Sequence, residues 1–193
     1  MYLHWINLSD RTGKTETVFL PGQGKCLAWS PDNKALLVGG NFSGLVQVDP
    51  HSGTGRSLES TGTETTAMQI SADGRRIFSG HSDGAVRIWN LIDNSMTAFH
   101  IHRSAVSSIC LSHDGRIGVS ADSDSNLALW FADSGERIGF PGSVVEPNAN
   151  GMKTATLLSF GSDDRQLLAA SITPEKRLAV RKWNLTGLIK RLK

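Results

Sequence analysis

The chain has 193 residues, 39% of them hydrophobic and 20% charged, with a formal net charge of +2. That length and balance predict one folded domain with a sizeable core and exclude an intrinsically disordered chain. Apolar runs such as Ala35–Val38 are far too short for a membrane span, and "MYLHWINLSD" lacks the basic and apolar regions of a signal peptide. The two cysteines, Cys26 and Cys110, form no CxxC and predict no disulfide framework, so a cytoplasmic location is expected.

In chain order, the predicted elements repeat. "LHWINL", "LVQVDP", "VRIWNL", "LALWFA" and "AVRKWNL" align on positions 5, 48, 89, 130 and 183, which are 43, 41, 41 and 53 residues apart. The long last interval holds "PGSVVEPNANGM" (141–152), a predicted loop insertion rich in Pro, Gly and Asn. A second motif runs in phase: "WSPDNKALLVGG" (29–40), "ISADGRRIFSG" (70–80), "LSHDGRIGVSA" (111–121) and "FGSDDRQLLAA" (160–170). In each, a polar turn separates two apolar runs, a hairpin signal that Asp-Gly strengthens. Each unit therefore predicts four short strands. In the third full unit they are Val106–Leu111, Arg116–Ser120, Leu127–Phe131 and Glu136–Phe140. Only the tail "LTGLIKRLK" hints at a helical period.

Four antiparallel strands per repeat of about 41 residues, with a Trp near the end of the third, resemble the WD-repeat β-propeller family. The dipeptide reads Trp-Asn at 89–90 and 183–184, Trp-Phe at 130–131 and Trp-Ile at 5–6; Val48-Asp49 lacks the Trp. The resemblance implies an all-β propeller of four-stranded antiparallel blades in an incomplete ring. It divides the chain into a half blade (1–20) and blades at 21–60, 61–100, 101–140 and 150–193.

"GHSDGAVRIWNL" (80–91) places His81, Ser82 and Asp83 side by side. Consecutive residues of an extended segment point to opposite faces, so these three cannot act on one another as a catalytic triad. The resemblance instead implies a buried network of His, Ser, Asp and Trp within a blade. His102, Ser120, Asp124 and Trp130 match it; the same offsets from Trp89 give Ser79 and Asp83. The corresponding His place in that unit holds Thr61, and Val38 and Ala169 take the Ser place in the other two. A buried indole N–H needs an acceptor, and a connected hydroxyl, imidazole and carboxylate satisfy one another.

No other pattern carries chemistry. "TGKT" (12–15) is half a phosphate loop, with Leu8 where its first Gly belongs. "HIH" (100–102) lacks a third metal ligand, and "DSDSN" (122–126) lacks calcium-loop spacing. Lys176, Arg177, Arg181, Lys182, Lys190, Arg191 and Lys193 form an acid-free basic end, but without the interleaved aromatics of a nucleic-acid site. No catalytic residue, metal or cofactor is expected.

The predicted function is a non-catalytic protein–protein interaction scaffold, as one fragment of a larger propeller. Its partner face would carry His81, Ser82, Arg103 and Ser123, and its open ends would allow self-association. The alternative is the sensor or targeting propeller of a larger enzyme, such as a repeat-bearing kinase or protease, whose catalytic part lies outside these residues.

Overall fold

The computed structural model describes residues 2–6, 15–42, 44–58, 61–124, 126–138, 156–172 and 178–187. Among the described residues, apolar runs between polar turns produce 17 short strands arranged in five antiparallel sheets. The first is a pair, β1 (Tyr2–Ile6) and β2 (Thr15–Phe19). Three four-stranded blades follow. Blade 1 is β3 (Gly24–Trp29), β4 (Leu36–Gly40), β5 (Leu45–Val48) and β6 (Gly55–Ser57). Blade 2 is β7 (Thr65–Ile70), β8 (Arg76–His81), β9 (Ala85–Asn90) and β10 (Met96–His100). Blade 3 is β11 (Val106–Leu111), β12 (Ile117–Asp122), β13 (Leu127–Phe131) and β14 (Arg137–Ile138). Blade 4 has three described strands, β15 (Thr156–Phe160), β16 (Gln166–Ile172) and β17 (Leu178–Asn184).

Strands within each blade pair in chain order as a meander, and the first strands β3, β7, β11 and β15 lie against one another in turn. This is a propeller whose ring is not closed among the described residues. The second strand of blade 3 runs two residues past the sequence expectation, to Asp122, and the fourth begins at Arg137, with residues 139–140 outside the described residues. Residues 141–152 and the tail beyond 187 lie outside the described residues, as do residues 12–14 of "TGKT". No helix among the described residues is long and apolar enough to cross a membrane.

In blades 1 to 3 the hairpin between first and second strands closes by the same local chemistry, and in blade 4, where Gly161 takes the Ser place, only the Asp163 bond to Arg165 N at 3.0 Å is kept. Ser71 Oγ donates to Asp73 Oδ1 and accepts from Arg76 N at 2.9 Å, while Asp73 Oδ1 accepts from Arg75 N at 3.0 Å. Ser30–Asp32 and Ser112–Asp114 repeat this arrangement. The turn needs a left-handed residue, and Asn33, Gly74, Gly115 and Asp164 supply it with φ between 57° and 70°.

The core lies between blades. Leu37 and Leu45 of blade 1 meet Ile77 and Trp89 of blade 2. Phe78, Val86 and Ile88 of blade 2 meet Val106, Ile109 and Trp130 of blade 3. Cys110, Val119 and Leu129 of blade 3 meet Phe160 and Leu167 of blade 4. Close approach sets composition here. A Cβ on Gly80 would stand 2.4 Å from Val106 Cγ1, and one on Gly39 2.6 Å from Thr65 Cγ2, so a larger side chain would wedge the blades apart.

Candidate functional site

Two hydrogen-bonded networks occupy the middle of the molecule, one in each of blades 2 and 3. In blade 3, Trp130 Nε1 donates to Ser120 Oγ at 3.1 Å, and Ser120 Oγ lies 2.7 Å from His102 Nε2. His102 Nδ1 in turn stands 3.4 Å from Asp122 Oδ2. With the indole donating to Ser120, its hydroxyl proton is free to point at His102 Nε2, which leaves the imidazole proton on Nδ1, facing the carboxylate. Burial pushes the His102 imidazole pKa below its ordinary value, more strongly than the Asp122 carboxylate pulls it up. A neutral imidazole between hydroxyl and carboxylate follows.

The acid of this network is therefore Asp122, not Asp124. Asp122 is 1% exposed, whereas Asp124 lies two residues further into the exposed turn and accepts from Ser104 Oγ. Asp122 also ties that turn to the strand, accepting from Asp124 N at 3.0 Å, Asn126 N at 2.8 Å and Asn126 Nδ2 at 2.9 Å. The strand period carries the signal for it. Ser120 and Asp122 are two apart and share one side of β12, a relation the offset from the Trp alone does not reveal.

Blade 2 builds the same connection from a different position. Trp89 Nε1 donates to Ser79 Oγ at 2.8 Å, and Ser79 Oγ lies 2.8 Å from His81 Nε2. His81 Nδ1 is 3.2 Å from Thr63 Oγ1. The imidazole comes from the end of the second strand rather than from the loop before the first, where Thr61 stands. His81 sits eight residues before its Trp, the place Asp122 holds in blade 3. It is 0% exposed, and burial, then the Arg87 charge, pushes its pKa down to about 4. His81 is thus an internal member of the blade and not part of a partner face.

Asp83 lies outside the network. Its carboxylate pairs with the buried Arg87 guanidinium, Nη2–Oδ2 2.7 Å and Nη1–Oδ1 3.2 Å, and caps Ala85 N at 3.0 Å. Burial alone would raise the Asp83 carboxyl, but the Arg87 and Ala85 hydrogen bonds outweigh it and hold it below its ordinary value. Four residues apart in a tight turn and strand, the two side chains meet where the sequence pattern places a network acid.

The other predicted residues divide by exposure. Ser82 and Arg103 are exposed and Ser123 is half-buried, all on loops joining blade strands at one end of the sheets. Ser82 N and Ser123 N donate to Glu64 O and Ala105 O, pinning these loops to the segment before each first strand. His100 is exposed while His102 is buried, so the "HIH" imidazoles do not converge. Among the described residues, no three His, Cys, Asp or Glu side chains gather around a common point. The Cys26 thiol is pushed up to about 12 by burial, and burial also raises Cys110. A cleft of about 310 Å³ between the turns of blades 1 and 2 is floored by Leu37, Ile70 and Leu91. The Asp32 and Asp73 carboxylates at its rim are engaged by their own turns.

The family model of the WD domain, G-beta repeat, matches residues 55–90 and 94–130, the stretch that carries both networks. The chain carries WD40 repeats over these residues. Its propeller blades are those of a protein-interaction domain. Among curated proteins, it is 38% identical over 65 residues to ribosome biogenesis protein YTM1 of Candida glabrata, covering 34% of this chain and 14% of that one. It is 31% identical over 112 residues to protein groucho of Drosophila melanogaster, covering 56% of this chain and 15% of the relative. Autophagy-related protein 16 of Arabidopsis thaliana is 29% identical over 112 residues, covering 57% and 22%. The chain thus spans less than a quarter of the length of these relatives. The crystal structure of the RRP9 WD40 repeats superposes with a TM-score of 0.64 at 16% identity, over 84% of this WD40 chain and 52% of that one.

Proposed function

We propose that this WD40 chain is a non-catalytic protein–protein interaction scaffold and forms about half of a larger propeller. The observation that carries the first part is the fate of the reactive side chains. His81, His102, Ser79 and Ser120 are buried and bonded to one another, so none presents a nucleophile or base to solvent. One loop face exposes Ser82, Arg103 and Asp124, together with half-buried Ser123. The relatives named above, drawn from ribosome biogenesis, a groucho protein and autophagy, fit a family that is reused as a binding platform. The 52% share of the RRP9 repeats supports the second part.

The ends of the array support self-association as a further mode. Leu27 and Trp29 on β3 are 57% and 42% exposed, although their counterparts Ile109 and Leu111 in blade 3 are buried by blade 2. The test is light scattering across a concentration series, together with capture of partners by the full chain and by its Arg103→Glu variant. Concentration-dependent assembly and a partner lost on charge reversal support the scaffold reading. A hydrolase activity that depends on Ser82 overturns it.

A further inference from the structure

Turns of successive blades meet at the end of the sheets away from Ser82 and Arg103. Between blades 3 and 4 the chain bridges the gap itself. His113 Nδ1 lies 2.8 Å from Asp164 Oδ1, and His113 N and Asp114 N donate to the same carboxylate at 2.8 and 3.2 Å. Pro31 holds the place of His113 in blade 1, and Gly74 that of Asp164 in blade 2. Neither has a polar side chain, so that bridge is missing between blades 1 and 2, and the cleft of about 310 Å³ opens there. All its lining residues are described, and it lies between two successive blades, where no further blade enters.

The cleft is apolar below and acidic above. Leu37, Ile70 and Leu91 form the floor, and Asp32 and Asp73 stand at the rim. Each carboxylate commits Oδ1 to its own turn. Asp73 Oδ2 accepts no hydrogen bond from a described residue. Asp32 Oδ2 has only Lys34 Nζ nearby, 4.0 Å away, on a side chain that is 81% exposed. Arg75 and Arg76 lie close to Asp73 in the chain, yet neither forms an ion pair with it; Arg76 pairs with Asp133 at 2.8 Å. Hydrogen bonds from Ser71 and Ser30 hold both rim carboxyls below their ordinary value, so both are charged at neutral pH.

We propose that this cleft is a docking pocket for one arginine side chain of a partner protein. The methylene stem lies on Leu37, Ile70 and Leu91, and the guanidinium meets the free oxygens of Asp32 and Asp73. Two carboxylates against one solvated ammonium leave the rim negative, which selects a cation. An apolar side chain covers the floor but leaves the carboxylates unanswered. A lysine brings a single, strongly hydrated point charge, whereas a planar fork serves oxygens from two separate turns. The proposal rests on the protein-binding reading above, but the pocket lies at the opposite end of the sheets from the loop face, so the two fail separately.

The test titrates acetyl-Ala-Arg-Ala-amide into the nitrogen-15-labelled full chain, with lysine, norleucine and glutamate versions for comparison. The arginine peptide should move the backbone amide signals of Lys34, Ala35, Asp73, Gly74 and Leu91 saturably and leave those of Ser82 and Arg103 in place. It should bind about fivefold more tightly than the norleucine peptide, and the advantage should shrink as salt is added. The double variant D32N/D73N keeps an acceptor for each turn and should lose that advantage. Its circular dichroism spectrum and melting temperature establish that it is folded. Lys34→Gln, at an exposed position, should bind the arginine peptide about twofold more tightly, because a competing cation is gone. Equal binding of the arginine and norleucine peptides, an arginine preference that survives D32N/D73N, or shifts centred on Ser82 and Arg103 would overturn the proposal.

Discussion

Blades 2 and 3 each carry a Trp–Ser–His line through the sheet; blades 1 and 4 have no Ser at its centre. In the first pair a Trp, a Ser and a His form a continuous hydrogen-bonded line through the sheet. In the second pair Val38 and Ala169 replace the Ser, and Val48 replaces the Trp of blade 1. Yet all four fold into the same meander, with the same hairpins and the same contacts between first strands. The network is therefore not what makes a blade. Patterned apolar strands and the Asp-capped turn do that, and the network adds local stability and a fixed position for the loops it anchors. The family model matches the wired stretch, 55–130, because that is where the characteristic side chains survive.

The comparison breaks most visibly at the tryptophans. Trp130 is fully buried, and a Cβ on its cross-strand neighbour Gly118 would stand 2.1 Å from the indole ring. Trp130→Ala should lower unfolding free energy by about 3–5 kcal/mol, and the half-buried Trp183→Ala by clearly less, measured by urea titration. Equal losses would mean the two kinds of blade are energetically alike.

Acid should act on the wired blades next. A histidine buried neutral, with its pKa depressed from 6.5 to about 4, stabilises the fold above pH 6.5. As pH falls through that window the unfolded chain takes up the proton first, so stability declines, by at most about 3 kcal/mol for His81. His102 shifts in the same direction. Melting temperature measured from pH 7 to pH 4 should fall, and His81→Gln should flatten the slope.

Removing the central hydroxyl is a smaller cut. Ser120→Ala strands the Trp130 N–H and a His102 nitrogen and should cost about 1–3 kcal/mol. The converse, Val38→Ser, should not build a network, because Val48 offers no indole to bond; it should destabilise blade 1 rather than strengthen it. The finest contrast lies two residues apart. Asp122→Asn should cost about 1–2 kcal/mol through the imidazole and the turn it caps, while Asp124→Asn should stay within about 0.5 kcal/mol, both by thermal melts.

The period near forty residues and the polar turns made the propeller and its strands readable from sequence, because alternation and turn chemistry are local signals. His102, Ser120 and Trp130 were readable as a set for the same reason: one unit kept every position. The partners at the network's end were not. Asp122 and Asp124 are the same residue type in one acidic stretch, and only the length of β12 decides which is buried. His81 was obscured because an imidazole can reach Ser79 from the strand as well as from the loop, so a spacing rule finds an empty place while the geometry fills it. Arg87 claims Asp83 for a reason the pattern lacks: a buried guanidinium needs a carboxylate nearby.

The account's central claim is that the hydroxyls and imidazoles of blades 2 and 3 are bound into the structure through their tryptophans. Indole N–H exchange, read residue by residue from nitrogen-15 NMR spectra, tests it most directly. Trp89 and Trp130 should exchange far more slowly than the exposed Trp29, and Ser79→Ala and Ser120→Ala should each release only the indole of their own blade. Exchange of Trp89 and Trp130 as fast as that of Trp29 in the folded chain would contradict it.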